Sequence, residues 1–480
     1  MFDCTASLCF LFLLLGALSQ AAAAQETPAE LSGFDQSETL SIEDGDELRA
    51  SDSNLVRLLY RAAKTSDQNF ARYSKLNRDV TLEQLNADPR GRRLHVIRMR
   101  GRAKSVKAIL KSEVGGQQAP EIHPFCLVSF DAPSGEEFFV AVPAKRTSRG
   151  GFNVNVPRAW LKQSALDELA EFDGYFLAKF DARKLQGKAN DSESRALPVF
   201  VANKIKWFPD KTNAALAIHQ DHVLLAKHGV DLAQRDIAAK NNNRLMQADE
   251  GTYFYQMMRA TRVVQQNEIS EEAIGFQKLL QSPGASLGRA VQFSGRVRRV
   301  TKAQVTNPLQ QRLLGADHYF VLDVFIPLTD SKVVVNTKQT LTGDEQSNDA
   351  TSPPSITYDN RFPVTVCVAN LPCDAKQLEK QNVDVSGFFF RLWNYPSAFV
   401  EQENAGGQVC PLVVGLTPVI VESGAEQGRA FLQQVLFGAA ALLLLFGVLA
   451  IWYLKLSDRK VGSAMKKGDA LPDKIGEIEL

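Results

Sequence analysis

Gly284-Ala285-Ser286-Leu287-Gly288 has the form G-x-S-x-G, which in an esterase sets a nucleophilic serine on a sharp strand-to-helix turn. Here the motif follows Ser282-Pro283 and leads into the strand-like residues 290–300, so the element order is reversed and a loop is expected. His219, Asp221, His222 and His228 form a second group. His219 and His222 can share a helix face as metal ligands, but a closed site takes three or four ligands and His228 lies two turns further on. A surface or helix-capping role is the expectation. His123 and His318 each precede a similar apolar segment, a placement that loop geometry explains. No phosphate-cradling glycine loop, dinucleotide fingerprint or HExxH occurs, so no catalytic residue, metal site or cofactor is expected.

The basic residues are the strongest candidates for binding. Arg90, Arg92, Arg93, Arg98, Arg100, Arg102, Lys104, Lys107 and Lys111 crowd one segment and its approach. Alternation along a strand sends Arg98, Arg100, Arg102 and Lys104 to one face and Ile97 and Met99 to the other, with a change of register expected at Gly101. A matching segment carries Arg289, Arg296, Arg298, Arg299 and Lys302. A basic barrel face with aromatics can hold single-stranded nucleic acid or another anionic polymer.

These residues lie on a unit that the chain carries twice. Residues 85–106 match 279–300 at a shift of 194, and 123–130 match 318–325 at 195. Further on, 152–156 match 362–366 at 210, while 174–180 match 387–393 and 197–201 match 410–414 at 213. The shift changes only between apolar segments, as insertions into polar connections of a preserved core would change it. A weaker match of residues 59–63 with 258–261 puts a helix ahead of each unit.

Within a unit the apolar residues alternate in short bursts: 95–106, then a hairpin of 125–131 and 137–142 around Ala-Pro-Ser-Gly, then 174–180 and 197–208. Residues 164–171 read as a helix between the third and fourth strands. That order, β-β-β-α-β-β, is the order of the OB-fold. The fold class expected is mainly β with helical additions: tandem OB-like five-stranded barrels, each preceded by helices, plus one C-terminal transmembrane helix. A five- or six-stranded barrel of other topology is the alternative.

Both ends of the chain bear on location. The apolar run 8–18 is too short to span a bilayer and is followed by small residues, so 1–24 reads as a signal peptide. Residues 435–454 form an uncharged run long enough to span, with Trp452 and Tyr453 at one margin and Lys455, Arg459, Lys460, Lys466 and Lys467 beyond it. The basic side stays in the cytoplasm, which predicts an exported bulk and a cytoplasmic tail, 455–480. The remaining divisions are a disordered, solvated acidic leader, 25–50; unit one, 51–209; a helical connector, 210–248; and unit two, 249–423. Over 480 residues, 55 Lys and Arg balance 54 Asp and Glu, so net charge names no partner. Of the cysteines, Cys4 and Cys9 leave with the signal peptide, and the oxidising side permits a bridge among Cys367, Cys373 and Cys410; Cys126 stands apart.

The two starts that run from a Pro to a Gly-Arg pair, Pro89 to Arg102 and Pro283 to Arg296, and the connector HQDHVLLAKHGVDLA, His219 to Ala233, resemble membrane-anchored proteins with repeated OB-like domains of planctomycete bacteria. That family has no assigned activity, so the resemblance implies architecture and location and no catalytic residues. The function expected is a non-enzymatic membrane-anchored extracytoplasmic protein whose two units bind a protein or envelope-polymer partner, with the lipid bilayer met at 435–454 and nucleic acid an unlikely ligand. The alternative is capture of an anionic polymer or single-stranded nucleic acid by the basic first unit, and a hydrolase or metalloenzyme stands third.

Overall fold

A computed structural model describes residues 34–35, 38–39, 41–45, 47–77, 80–109, 124–146, 152–182, 195–269, 273–328, 332–336, 355–395, 408–421 and 434–455. The segment expected as a signal peptide, His123, Lys111 and the residues beyond 455 lie outside them. The chain divides into two compact units, Met1–Val419 and Ile420–Leu480.

The first unit opens with helix α1, Ser53–Lys64, capped by Asp52, whose carboxylate accepts from the N–H groups of Asn54 and Leu55. Leu55, Leu58, Leu59 and Ala62 recur at helical spacing and are fully buried. Each of the three leucines contributes about 1.5–3 kcal/mol of burial. Helix α2, Asp67–Ser74, follows. Phe34, Ile42 and Leu48 join the same core, so the acidic segment expected as a solvated leader contributes packed side chains.

The first barrel is built from β1 (Val96–Ile109), β2 (Phe125–Asp131), β3 (Glu137–Arg146), β5 (Glu168–Phe180) and β6 (Leu197–Ala202), with β4 (Phe152–Val154) an edge strand on β3 and β7 (Lys206–Trp207) on β5. The order β1-β2-β3-β6-β5 closes because β5 also pairs with β1, and β3 runs parallel to β6. That is the closed OB-like arrangement. Both faces of β2 and β3 are apolar: Val128, Phe130, Phe138 and Val140 fill the barrel, while Leu127, Phe139 and Ala141 lie in the core that contains α1.

The second barrel has β8 (Ala290–Gln304), β9 (His318–Pro327), β12 (Arg361–Val368), β13 (Asn382–Tyr395) and β14 (Gln408–Gly415) in the same closed order, with β12 and β14 parallel. A hairpin of β10 (Val333–Asn336) and β11 (Ser355–Tyr358) is inserted between β9 and β12. The barrels share their irregularities. β1 bulges between Ala103 and Ser105 and β8 between Val297 and Arg299; β5 bulges between Phe176 and Ala178 and β13 between Phe389 and Arg391.

Four further sequence expectations need correction. Residues 164–171 are not a helix: a single turn, Trp160–Lys162, precedes them, and the chain is extended from Glu168, whose buried carboxylate accepts from Trp207 and Asn213. The change of register on β1 falls at Ala103/Ser105 rather than at Gly101, which instead packs against β2, where a Cβ would stand 2.6 Å from the Asp131 carbonyl oxygen. Residues 152–154 belong to edge strand β4, whereas 362–366 lie in the third barrel strand β12, so that match pairs different elements. The second-strand match is off by one: Val106 faces Val128 and Val300 faces Leu322, a shift of 194. One residue of slip reverses every side chain, and apolar residues on both faces of β2 hid it.

The connector comprises short helical turns and helix α3, Gln220–Lys227, which ends at His228 before Gly229. One apolar cluster runs from the interior of the first barrel through Leu224, Leu225, Tyr253 and Phe254 to Phe388, Phe390 and Leu412 of the second. Helix α4, Gly251–Thr261, supplies Tyr253, Phe254, Met257 and Met258 to it.

In the other compact unit, Gln434–Lys455 is a 22-residue helix, apolar and exposed along its length. At 1.5 Å per residue it reaches roughly 33 Å, enough to cross a hydrocarbon layer.

Candidate binding faces on the two barrels

Arg98, Arg100, Arg102 and Lys104 share the outer face of β1 as alternation requires, with Ile97 and Met99 buried behind them. Three of the four do not stand free. Arg98 forks onto Asp173, at 2.7 Å from Nε and 3.2 Å from Nη2, and lies 3.6 Å from Glu171. Lys206 donates to the same two carboxylates at 2.8 and 3.2 Å. Arg102 binds Asp210, and Lys104 binds Asp167 at 3.1 Å and Asp131 at 3.3 Å, with Lys211 also on Asp167. Arg100 is exposed, opposite Glu171 in the β1–β5 ladder, at the edge of a cleft of about 520 Å³. Burial opposes ionisation of Asp173, but Arg98 and Lys206 outweigh it and hold the carboxyl at about 2. Lys211 and Lys104 hold Asp167 at about 2 likewise. The face is a charge-balanced lattice bracing β1 against β5.

His222 of the connector is also spent on structure. His222 accepts the His219 backbone N–H at Nδ1, 3.1 Å, and donates from Nε2 to the Leu287 carbonyl, 2.7 Å. Burial, helped by Arg235, pushes its pKa down to about 3, so the ring is neutral. Asp221 accepts from Arg289 Nε and from Ala290 N–H at 2.9 and 3.1 Å. Among the described residues, no three of His, Cys, Asp and Glu gather as metal ligands. Ser286 is buried on a one-turn helix, Pro283–Ser286, and its hydroxyl donates to the Ser282 carbonyl at 2.9 Å. The turn leads into a strand, as expected, not out of one. His318 pairs with Asp317 at 2.6 Å and sets its ring edge-on to Phe320.

No bridge links Cys367, Cys373 and Cys410; these and Cys126 are free thiols. Burial pushes Cys126 and Cys410 up to about 12 and Cys367 higher still, so none of the three is a thiolate at neutral pH.

The second barrel presents a different face. The outer residues of β9 are half-exposed, and together with β8 and the start of β12 they border a groove of about 900 Å³. Arg296, Arg298, Arg361 and Lys380 line it with Phe325 and Asn360. The Arg298 guanidinium lies over the Phe325 ring, 5.7 Å from its centroid, and Arg296 donates to the Lys380 carbonyl at 2.9 Å. Among the described residues none of the four cations is paired with a carboxylate. Sequence reading named Arg296 and Arg298 but missed Phe325, Arg361 and Lys380. Correct register on the second strand was the signal that would have found Phe325.

No protein-family model matches the chain, and no curated protein matches it. Among solved structures, the single-stranded DNA binding protein from Thermus aquaticus aligns with 68% of this chain and 92% of its own at 8% identity and a TM-score of 0.14. A deletion mutant of that protein aligns with 68% of this chain and 93% of its own, at 8% identity and 0.13. A replication protein A heterotrimer bound to ssDNA aligns with 71% of this chain and 69% of its own at 6% identity and 0.13. Similarity this low carries nothing about ligands across.

Proposed function

We propose that this chain is a non-enzymatic membrane-anchored protein whose exported two-barrel body binds a protein or envelope-polymer partner. The observation that carries the reading is the apolar cluster that joins the first barrel's interior and the connector to one face of β13 and β14 on the second barrel, whose own interior is a separate core; the two barrels are thereby packed into one platform with two unlike outer walls. One wall is covered by the chain's own α1 and by a neutralised charge lattice; the other is open. The residues with catalytic spacing support it, because Ser286 and His222 have their hydrogen bonds committed to backbone groups. The apolar helix and the basic residues that follow it in sequence support anchoring with the barrels outside. Shared strand order and matching bulges support descent of both barrels from one duplicated unit.

Protease added to intact cells or spheroplasts should digest residues 51–421 and leave a protected fragment containing 435–480. Protection of the barrels until the membrane is breached would overturn the export reading. Polyanion capture through the first unit is the less favoured reading, because Arg98, Arg102 and Lys104 already hold carboxylates.

A further inference from the structure

Equivalent positions of the two barrels carry cations in opposite surroundings. On the first barrel Arg102 faces Asp131 in the β1–β2 ladder and Lys104 occupies the bulge. On the second, Arg296 faces Phe325 and Arg298 occupies the bulge. The acid that satisfies Lys104 is thus replaced by a phenyl ring. The β-ladders pair Arg102 with Leu169 and Arg296 with Asn382, and Asp167 and Lys380 each stand two residues before that paired residue, so the second acid is replaced by a cation. Lys380 also has φ of 72°, a conformation that costs a side-chain-bearing residue about 1 kcal/mol and that glycine would hold more cheaply. A lysine there sets an ammonium group beside the groove despite that strain.

We propose that this groove binds an anionic polysaccharide, taking its carboxylate or sulfate groups on Arg296, Arg298, Arg361 and Lys380. The proposal rests on the reading of the chain as a binding protein and names its ligand class and site. Planar guanidinium forks match carboxylate and sulfate in geometry, and three arginines with a lysine along one groove match charges repeating along a polymer. Asn360 offers an amide to sugar hydroxyls. Single-stranded nucleic acid fits less well. Such sites stack successive bases on open aromatic rings, and the one ring here, Phe325, is already faced by Arg298.

The test uses the full chain in detergent micelles, with a polyuronate, heparin and oligo-dT as probes at several salt concentrations. The uronate and heparin should bind with steep salt dependence, oligo-dT more weakly at equal charge. Replacing Arg296, Arg298 and Arg361 together by Gln should lower polysaccharide affinity by about tenfold or more and flatten the salt slope, since each cation removed releases less counterion. These side chains are exposed, so the unfolding midpoint should hold and exclude misfolding. Oligo-dT binding tighter than either polysaccharide would reassign the groove to nucleic acid. No retention on any polyanion, or retention indifferent to the triple change, would overturn the site. Neither failure touches the export reading, which the protease experiment decides by itself.

Discussion

The guanidinium of Arg391, on the β13 bulge, is gripped by both carboxylate oxygens of Glu250 at 2.5 and 2.8 Å, and neither side chain has any exposed surface. Its other N–H groups donate to the carbonyls of Arg244, Leu245 and Leu392, so the pair ties the connector to the second barrel. Glu250→Ala strands a buried cation and should cost about 3–5 kcal/mol, whereas Glu250→Leu with Arg391→Met should recover much of that. Urea midpoints followed by tryptophan fluorescence check both, and equal losses in the single and double variants would contradict it.

Acid should loosen the same junction through His222. In the unfolded chain this ring takes up a proton near pH 6.5, in the folded chain only near pH 3. Between those values the unfolded state binds more protons, so stability is complete above pH 6.5 and falls with falling pH, by about 1.4 kcal/mol per pH unit at most. His222→Gln should lower stability at pH 7.5 and flatten the slope between pH 6.5 and 4; an unchanged slope would assign it to other groups.

At lower pH the charge lattice on the first barrel takes over. Asp173, held at about 2, stabilises the fold above the ordinary carboxyl value near 3.8, and that contribution is lost as pH falls toward 2. Asp173→Asn should cost about 1–3 kcal/mol at neutral pH, because Arg98 and Lys206 lose a charged acceptor. It should also blunt the stability loss below pH 4, measured by denaturant melts across the range.

Two glycines at equivalent places should respond unequally. A Cβ on Gly387 would collide with the Val414 carbonyl oxygen and stand 2.7 Å from Gly415 Cα, while one on Gly174 would meet the Val201 carbonyl at 3.0 Å. Gly387→Ala should therefore cost about 1–3 kcal/mol and Gly174→Ala less, read from thermal melts. The reverse order would mean that β14 yields more easily than β6.

The barrels were legible because their strands are short alternating bursts divided by turn residues, and strand order alone narrows the topologies that remain. The helix expected at 164–171 was not there, and the reason bears on function. Leu166, Leu169 and Ala170 fit either period, and nothing local shows that Asp167, Glu168 and Glu171 are more than polar residues of that helix. They are instead the counter-charges and acceptors of the β1 cations, Lys206 and Trp207. A run of arginines reads as a binding face only until the acids opposite are known, and those arrive from strands and loops distant in sequence. The groove on the second barrel was hidden likewise, since Phe325, Arg361 and Lys380 meet only on barrel closure.

The apolar cluster that joins the two barrels also sets a schedule for synthesis. As the chain emerges from its N-terminal end, the first barrel has all five of its strands by Ala202, but Leu224, Leu225, Tyr253 and Phe254 have no second-barrel surface to meet until Phe388, Phe390 and Leu412 have been made. Through that interval the connector is an unshielded greasy seam in the newborn polypeptide, the kind of surface that invites clumping or a chaperone. The last barrel strand, β14, which slots between β12 and β13, is the piece that ends the exposure.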